Sequence, residues 1–152
     1  KKMVKKNEVM VGDIVRIKNW SFEVLEIQTN SVVGRLLTVG FGSFVEAWPK
    51  VMGYTITEDL LETLGYHHEE GYREDVMLYR EYPLERNKGL VLTYAFNDHS
   101  FGLLCNPTPP HGFFYAYATY LHELMQLYRA FKVDYSGMYK RMRDYKVPTE
   151  LL

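Results

Sequence analysis

The chain has 152 residues, a formal net charge of −1 and a composition of 47% hydrophobic and 24% charged residues. Such a composition excludes an intrinsically disordered protein, and the single cysteine excludes an intrachain disulfide framework. Residues 1–6 are too polar for the apolar core of a signal peptide, and no apolar run approaches the roughly 20 residues of a transmembrane helix. We therefore expect no membrane contact and a cytoplasmic location.

The first third of the chain predicts four or five short strands, which lie between residues 8 and 50. Apolar and acidic residues partly alternate over 22–27, as a half-buried strand requires, and Pro49 ends the last strand. Strands of this length and spacing suit a small SH3-like β-barrel, which we place at residues 1–52. The segment VGDIV at 11–15 resembles the VGDxV entry that is common in such barrels.

Residues 53–152 predict an α+β unit that begins with a short helix capped by Thr57. Short turns then connect three predicted strands at 72–82, 90–96 and 101–105, which favours an antiparallel meander. The predicted fold class is therefore α+β, with a barrel followed by a helix, a meander and C-terminal helices. We expect the two parts to pack together.

The rest of the chain predicts two helical segments after an irregular stretch. Residues 106–112 contain three prolines and a glycine, so no regular structure is expected there. Helical spacing then predicts a long helix with one apolar face, formed by Tyr117, Leu121, Leu124, Tyr128 and Phe131. A second amphipathic segment ends before Pro148, and its apolar face carries Tyr135, Met138, Met142 and Tyr145.

Three segments in this order carry a family resemblance: VGDIV at 11–15, TITEDLLETLGY at 55–66 and YLHELMQLYRAF at 120–131. Together they resemble small proteins encoded by phages and mobile elements of gut bacteria. That group combines a small barrel, a T-x-E-x-L-x-x-x-G-F/Y helix, a meander and a closing helix of the H-x-L-Q-N-L-Y type. The closing motif would correspond here to His122, Leu124, Gln126, Leu127 and Tyr128. The resemblance implies this architecture and a viral or mobile-element origin, and it implies no activity.

Motifs for catalysis are incomplete. His122 and Glu123 resemble the start of a zinc-protease motif, but position 126 is Gln126 instead of the second histidine. We expect His122 to face solvent or the edge of the core, with a capping role. Cys105 has no Cys-x-x-Cys partner and follows two leucines, so we expect a buried structural thiol. No glycine-rich phosphate loop followed by a helix is present.

Residues 67–70 read His-His-Glu-Glu and are the weak candidates for a metal site. Adjacent side chains point apart, so one ion would use only one or two of them, with His67 and His68 the first to consider. His99 or His111 would complete such a site only if the fold brought them close. A solvated polar loop is the alternative, and no cofactor is predicted.

Two features favour binding. Five aromatic residues at and after the proline-rich stretch suit a protein contact, unless they complete the core: Phe113, Phe114, Tyr115, Tyr117 and Tyr120. Cations on the second amphipathic segment, interleaved with tyrosines, suit phosphate contact and base stacking, unless they are a solvated helix face: Lys140, Arg141, Arg143 and Lys146.

Three functional hypotheses follow. The leading one is a non-enzymatic phage or mobile-element protein that acts as a protein-interaction or self-assembly module, binding a protein partner or itself. The second is a nucleic-acid-binding accessory protein that uses the barrel and the basic C-terminal segment. The third is a metal-dependent enzyme or small-ligand binder that uses segment 67–70.

Overall fold

The computed structural model describes residues 3–69, 77–81, 90–105 and 111–151, without the side chains of 104, 105, 111–115 and 151. The fold is α+β, as predicted, with two antiparallel sheets. The strands are β1 Ile14–Ile17, β2 Trp20–Ile27, β3 Ser31–Leu36, β4 Phe44–Ala47, β5 His67–Glu69, β6 Leu78–Glu81, β7 Leu90–Ala95, β8 Ser100–Cys105 and β9 His111–Tyr117. The helices are α1 Glu58–Thr63, α2 Leu121–Ala130 and α3 Gly137–Met142, with short 3₁₀ turns at Trp48–Lys50 and Thr149–Leu151.

The N-terminal sheet has the order β1-β2-β3-β4, and each strand is antiparallel to the next. A bulge between Val24 and Glu26 bends β2 where it pairs with β3. Isolated bridges join Met52 to Arg16 and to Met3, which adds a short pairing beside β1. Within the described residues β1 and β4 do not pair, so the sheet is open and the predicted SH3-like barrel is not confirmed.

The second sheet is a meander with the order β5-β6-β7-β8-β9, two strands more than predicted. The predicted meander strands correspond to β6, β7 and β8, although only residues 77–81 of the first lie in the described chain. His111 and Gly112 were predicted to be irregular but belong to β9. The backbone of His111 pairs with Cys105 at the end of β8. Residues 106–110 lie outside the described residues.

Helices α1 and α2 begin where side chains satisfy free backbone amides. The Thr57 hydroxyl accepts from the Leu60 amide at 3.2 Å, which confirms the predicted cap of α1. Glu123 accepts from the amides of Thr119 and Tyr120 at 3.2 and 3.0 Å, so α2 begins at Leu121. The prediction that Tyr117 belongs to this helix is wrong, since Tyr117 ends β9 and is 66% exposed.

Two hydrophobic cores lie on opposite sides of β1. The larger core joins α1, the second sheet and α2, and it includes Ile14. The smaller core lies within the N-terminal unit and includes the next residue, Val15. Successive side chains of a strand point to opposite faces, so β1 is covered on both. The N-terminal sheet therefore packs on the larger core through β1. The predicted division into two parts after residue 52 stays a prediction.

Candidate functional site

An open groove of about 960 Å³ lies beside the β1–β2 hairpin. Its walls come from the end of β1, the start of β2 and the turn after β4, and its lining residues are Arg16, Ile17, Lys18, Trp20, Glu46, Pro49, Lys50 and Met52. Trp20 is 52% exposed, in contrast to the chain's other tryptophan, Trp48, which is buried. The groove therefore combines an accessible indole ring with cations.

The hairpin turn that presents Trp20 is held by Arg16. Lys18 and Asn19 form a two-residue turn in which Lys18 has a φ of 52°. The Arg16 guanidinium donates to the carbonyl of Lys18 at 2.8 Å and to the carbonyl of Gly53 at 3.1 Å. Burial lowers the pKa of Arg16, and the Tyr54 ring lies 5.8 Å from its guanidinium carbon. Arg16 is thus a positioning residue, and Lys18 and Lys50 are the exposed cations of the groove.

The C-terminal segment reaches the same hairpin. The Val147 amide donates to Oδ1 of Asn19 at 2.8 Å, and the Lys146 ammonium lies 5.0 Å from the centre of the Trp20 ring. A cation over an indole face is attracted by the ring's quadrupole. Lys146, which was predicted to contact nucleic acid, therefore lies at Trp20. Trp20 itself was not among the predicted site residues.

The other predicted cations separate into two places. Arg141 donates to Oε1 of Glu81 at 3.1 Å and to the Leu64 carbonyl, so it faces the second sheet. Lys140 and Arg143 line a smaller cleft of about 230 Å³ together with Arg35 of β3. The four predicted cations therefore do not form one surface, and Arg141, although 42% of its side chain is exposed, pairs with Glu81.

Glu81, the partner of Arg141, lies in a buried polar cluster. It accepts from the Tyr128 hydroxyl at 2.5 Å, and the Tyr66 hydroxyl lies 2.7 Å from that of Tyr128. Burial raises the pKa of Glu81, although the hydrogen bonds from Tyr128 and Arg141 oppose this. The cluster links the segment after α1 to β6, α2 and α3 through polar groups at the larger core.

The predicted aromatic contact surface is only partly described. Tyr117 is exposed at the end of β9, whereas Tyr120 is half-buried and stacks on His122 with ring centres 5.7 Å apart. Alternation along β9 puts positions 113, 115 and 117 on one face and position 114 on the other. The side chains of Phe113, Phe114 and Tyr115 lie outside the described residues.

The histidines do not converge in the described structure. His67 and His68 are exposed on β5, where a polar loop was the alternative, and His68 lies against Tyr79. His99 lies with its Nδ1 3.3 Å from the Tyr94 hydroxyl. Among the residues the structure describes, no group of three His, Cys, Asp or Glu residues could hold a metal ion. The side chains of Cys105 and His111 lie outside them.

His122 is 1% exposed, so the expectation that it faces solvent is wrong. A Cβ atom at position 53 would lie 3.0 Å from its Cε1, so the lack of a side chain at Gly53 lets the backbone approach the ring. Its neighbour on the next turn, Gln126, donates to Oδ2 of Asp13 at 2.9 Å. The residue that breaks the zinc-protease motif thus connects α2 to the VGDIV segment.

Comparisons with protein families, with curated proteins and with solved structures found no match to this chain. In the described part of the chain, none of the helices combines the length and apolar character that a bilayer crossing requires.

Proposed function

We propose that this chain is a non-enzymatic binding protein for nucleic acid and that the Trp20 groove is its binding surface. The observation that carries the proposal is the half-exposed Trp20 ring with the Lys146 ammonium 5.0 Å from its centre. Bases stack on exposed aromatic rings, and cations beside such rings contact phosphates. The groove provides both kinds of contact.

The charge of the groove supports an anionic partner. Lys18 and Lys50 line the groove and Lys146 lies at the Trp20 ring, so the surface carries three lysine cations. The lining includes one carboxylate, Glu46, which lies 3.8 Å from the Lys50 ammonium. Because the whole chain has a net charge of −1, this surface is more basic than the protein around it. Local positive charge of this kind attracts phosphates.

The test is fluorescence anisotropy of a labelled 12-nucleotide oligothymidylate, titrated with protein at several salt concentrations. Three phosphate contacts to a single strand predict a log–log salt dependence with a slope of about −2. Loss of one stacked base in Trp20→Ala predicts weaker binding by about fivefold or more. Salt-independent binding, or equal binding by Trp20→Ala, contradicts the proposal.

Two controls separate this surface from general charge effects. Lys132→Asn removes an exposed cation elsewhere, and asparagine tolerates the φ of 57° at that position. It is expected to bind like the unmodified protein, whereas Lys146→Gln is expected to bind more weakly. Competition by heparin tests whether the surface binds any polyanion. Base stacking is contradicted if heparin displaces the labelled oligothymidylate as well as unlabelled oligothymidylate does and Trp20→Ala has no effect.

We also propose the finer fold, an SH3-like barrel at residues 1–52. The bridge between Arg16 and Met52 supports it, because residues after the 3₁₀ turn return to the free edge of β1. Backbone hydrogen bonds between Arg16 and Met52, at 2.9 and 2.8 Å, run in both directions. We expect a solved structure to show that the chain near Met52 pairs with β1 and extends the sheet towards β4.

A second candidate function is self-association or protein binding through β9. Tyr117 favours it, because it is exposed on the last strand of the meander. Light scattering after size-exclusion chromatography tests this candidate. A defined oligomer that Tyr117→Ser converts to a monomer supports it, and a monomer at all concentrations contradicts self-association.

A further inference from the structure

A second cationic cleft lies between the β2–β3 hairpin and α3. Arg35, Lys140 and Arg143 line it, and its volume of about 230 Å³ is several times smaller than that of the Trp20 groove. Glu23, which pairs with Arg35 across the two strands, is the carboxylate of the lining. Arg143 also pairs with Asp144 at 3.6 Å, so three cations outnumber the two carboxylates beside them and the site favours an anion.

An exposed phenylalanine, Phe41, lies in the loop that borders this cleft. Phe41 is 78% exposed between Gly40 and Gly42, which have φ values of +76° and +77°. Residues with side chains rarely adopt this backbone conformation, so the two glycines make the loop that presents the ring. Gly40 also lines the cleft, and Nε of Arg35 donates to the Gly42 carbonyl at 3.4 Å. Phe41 is therefore placed beside the cations.

The cleft and the Trp20 groove lie at the same end of the N-terminal sheet. The Leu37 amide donates to the Ser21 carbonyl at 3.1 Å, so the chain that leads to Phe41 leaves the sheet beside the residue after Trp20. The segment 140–146 serves both places, with Lys140 and Arg143 at the cleft and Lys146 at the Trp20 ring. Two aromatic rings, each with cations, are thus connected by one basic segment.

We propose that the cleft and Phe41 form a second nucleotide subsite for a single strand that also stacks on Trp20. Arg35, Lys140 and Arg143 hold a phosphate there, and a base stacks on Phe41. The inference rests on the proposed function, which it deepens by naming the partner as unpaired nucleic acid. Bases in a duplex are already stacked on one another, whereas those of a single strand are free to stack on side chains.

The experiment compares oligothymidylates of 3 and 12 nucleotides, because a trinucleotide with one base on Trp20 has few bases and phosphates left for a second subsite. Quenching of Trp20 fluorescence reports the groove for both lengths, with Trp48 as a buried constant background. Phe41→Ala and the double variant Lys140→Gln/Arg143→Gln are each expected to weaken the 12-mer by about fivefold or more. Both are expected to leave the affinity for the trinucleotide unchanged.

Val45→Ala is the matched control, since it removes another exposed apolar side chain of the same sheet, 63% exposed on β4. It is expected to bind both lengths normally. Equal circular dichroism spectra and unfolding midpoints show that each variant is folded before its affinity is compared.

Several results would overturn the second subsite. If Trp20→Ala weakens the 12-mer and the Phe41 and Lys140/Arg143 variants do not, the groove acts alone and only this inference fails. If neither length binds, the proposed function fails with it. Tighter binding of a 12-base-pair duplex than of the single strand contradicts the stated partner. Phe41-dependent binding to phosphatidylserine vesicles, without an effect on the 12-mer, assigns the loop to a membrane surface instead.

Discussion

Arg129 of α2 forms an ion pair with Asp13, and their Nη1 and Oδ1 atoms lie 2.6 Å apart although Asp13 has no exposed surface. Asp13 also accepts from the Met10 amide at 2.8 Å and from Gln126 at 2.9 Å. A buried carboxylate requires such partners, because burial removes its hydration. The VGDIV segment is therefore a structural contact between the N-terminal sheet and α2.

Asp13→Ala is expected to lower the free energy of unfolding by about 3–5 kcal/mol, since it leaves the partly buried Arg129 without its carboxylate. Urea denaturation followed by circular dichroism measures the change. Asp144→Asn is the control, because its pair with Arg143 lies at the surface and contributes about 0–1 kcal/mol. Equal midpoints for the two variants contradict the structural role of Asp13.

Glu81→Gln is expected to change how stability depends on pH. The pKa of buried Glu81 is raised above 4.5, so above that pH the folded state holds a proton that the unfolded state releases. This contribution favours folding at low pH and is lost as pH rises towards the raised pKa. The unmodified protein should therefore lose stability relative to Glu81→Gln from pH 4 upward. A difference between the two unfolding free energies that is independent of pH contradicts this.

Gly34→Ala is expected to destabilise the N-terminal sheet by about 1–3 kcal/mol through overpacking. A Cβ atom at position 34 would overlap Cδ2 of Phe22 and lie 3.1 Å from Cζ of Phe44, and both rings pack in the smaller core. Gly137→Ala is the matched control, because nothing lies within 4 Å of its Cβ position and alanine favours a helix. Thermal unfolding should show opposite shifts for the two variants, and a neutral Gly34→Ala contradicts the packing.

Asn19→Ala is expected to release the C-terminal segment from the Trp20 ring. It removes the acceptor of the Val147 amide, a hydrogen bond that contributes about 0.5–1.5 kcal/mol. Acrylamide should then quench Trp20 emission more strongly, because Lys146 no longer covers the ring. Asn19→Asp keeps an acceptor oxygen and should behave like the unmodified protein. Equal quenching in all three proteins contradicts the role of Asn19.

Local signals made several elements predictable from the sequence. The Thr57 cap and the acidic first turn of α1 depend on residues within one helical turn, and the structure confirms them. The strand at 22–27 followed from its alternating pattern and is part of β2. In contrast, Tyr117 matched the helical spacing of Leu121 by coincidence, and only its pairing with Ser100 shows that it belongs to a strand.

The candidate site could not be predicted, because its contacts connect distant parts of the chain. Nothing in the neighbourhood of Trp20 indicates that Lys146 lies over its ring, and the two meet only when the C-terminal segment docks on the first hairpin. Arg141 matched the pattern of its basic neighbours, but its pair with Glu81 spans 60 residues of sequence. Residue type indicated cationic character correctly, and only tertiary structure separated Arg141, which pairs with buried Glu81, from the other cations.

The hydrogen bond between Val147 and Asn19 bears on when the Trp20 groove is completed during synthesis. Trp20 leaves the ribosome before Lys146, which follows more than a hundred residues later. A nascent chain therefore displays an incomplete groove, with its indole ring uncovered, until residue 147 has emerged. Completion of the surface is in this way tied to the synthesis of residues 146 and 147.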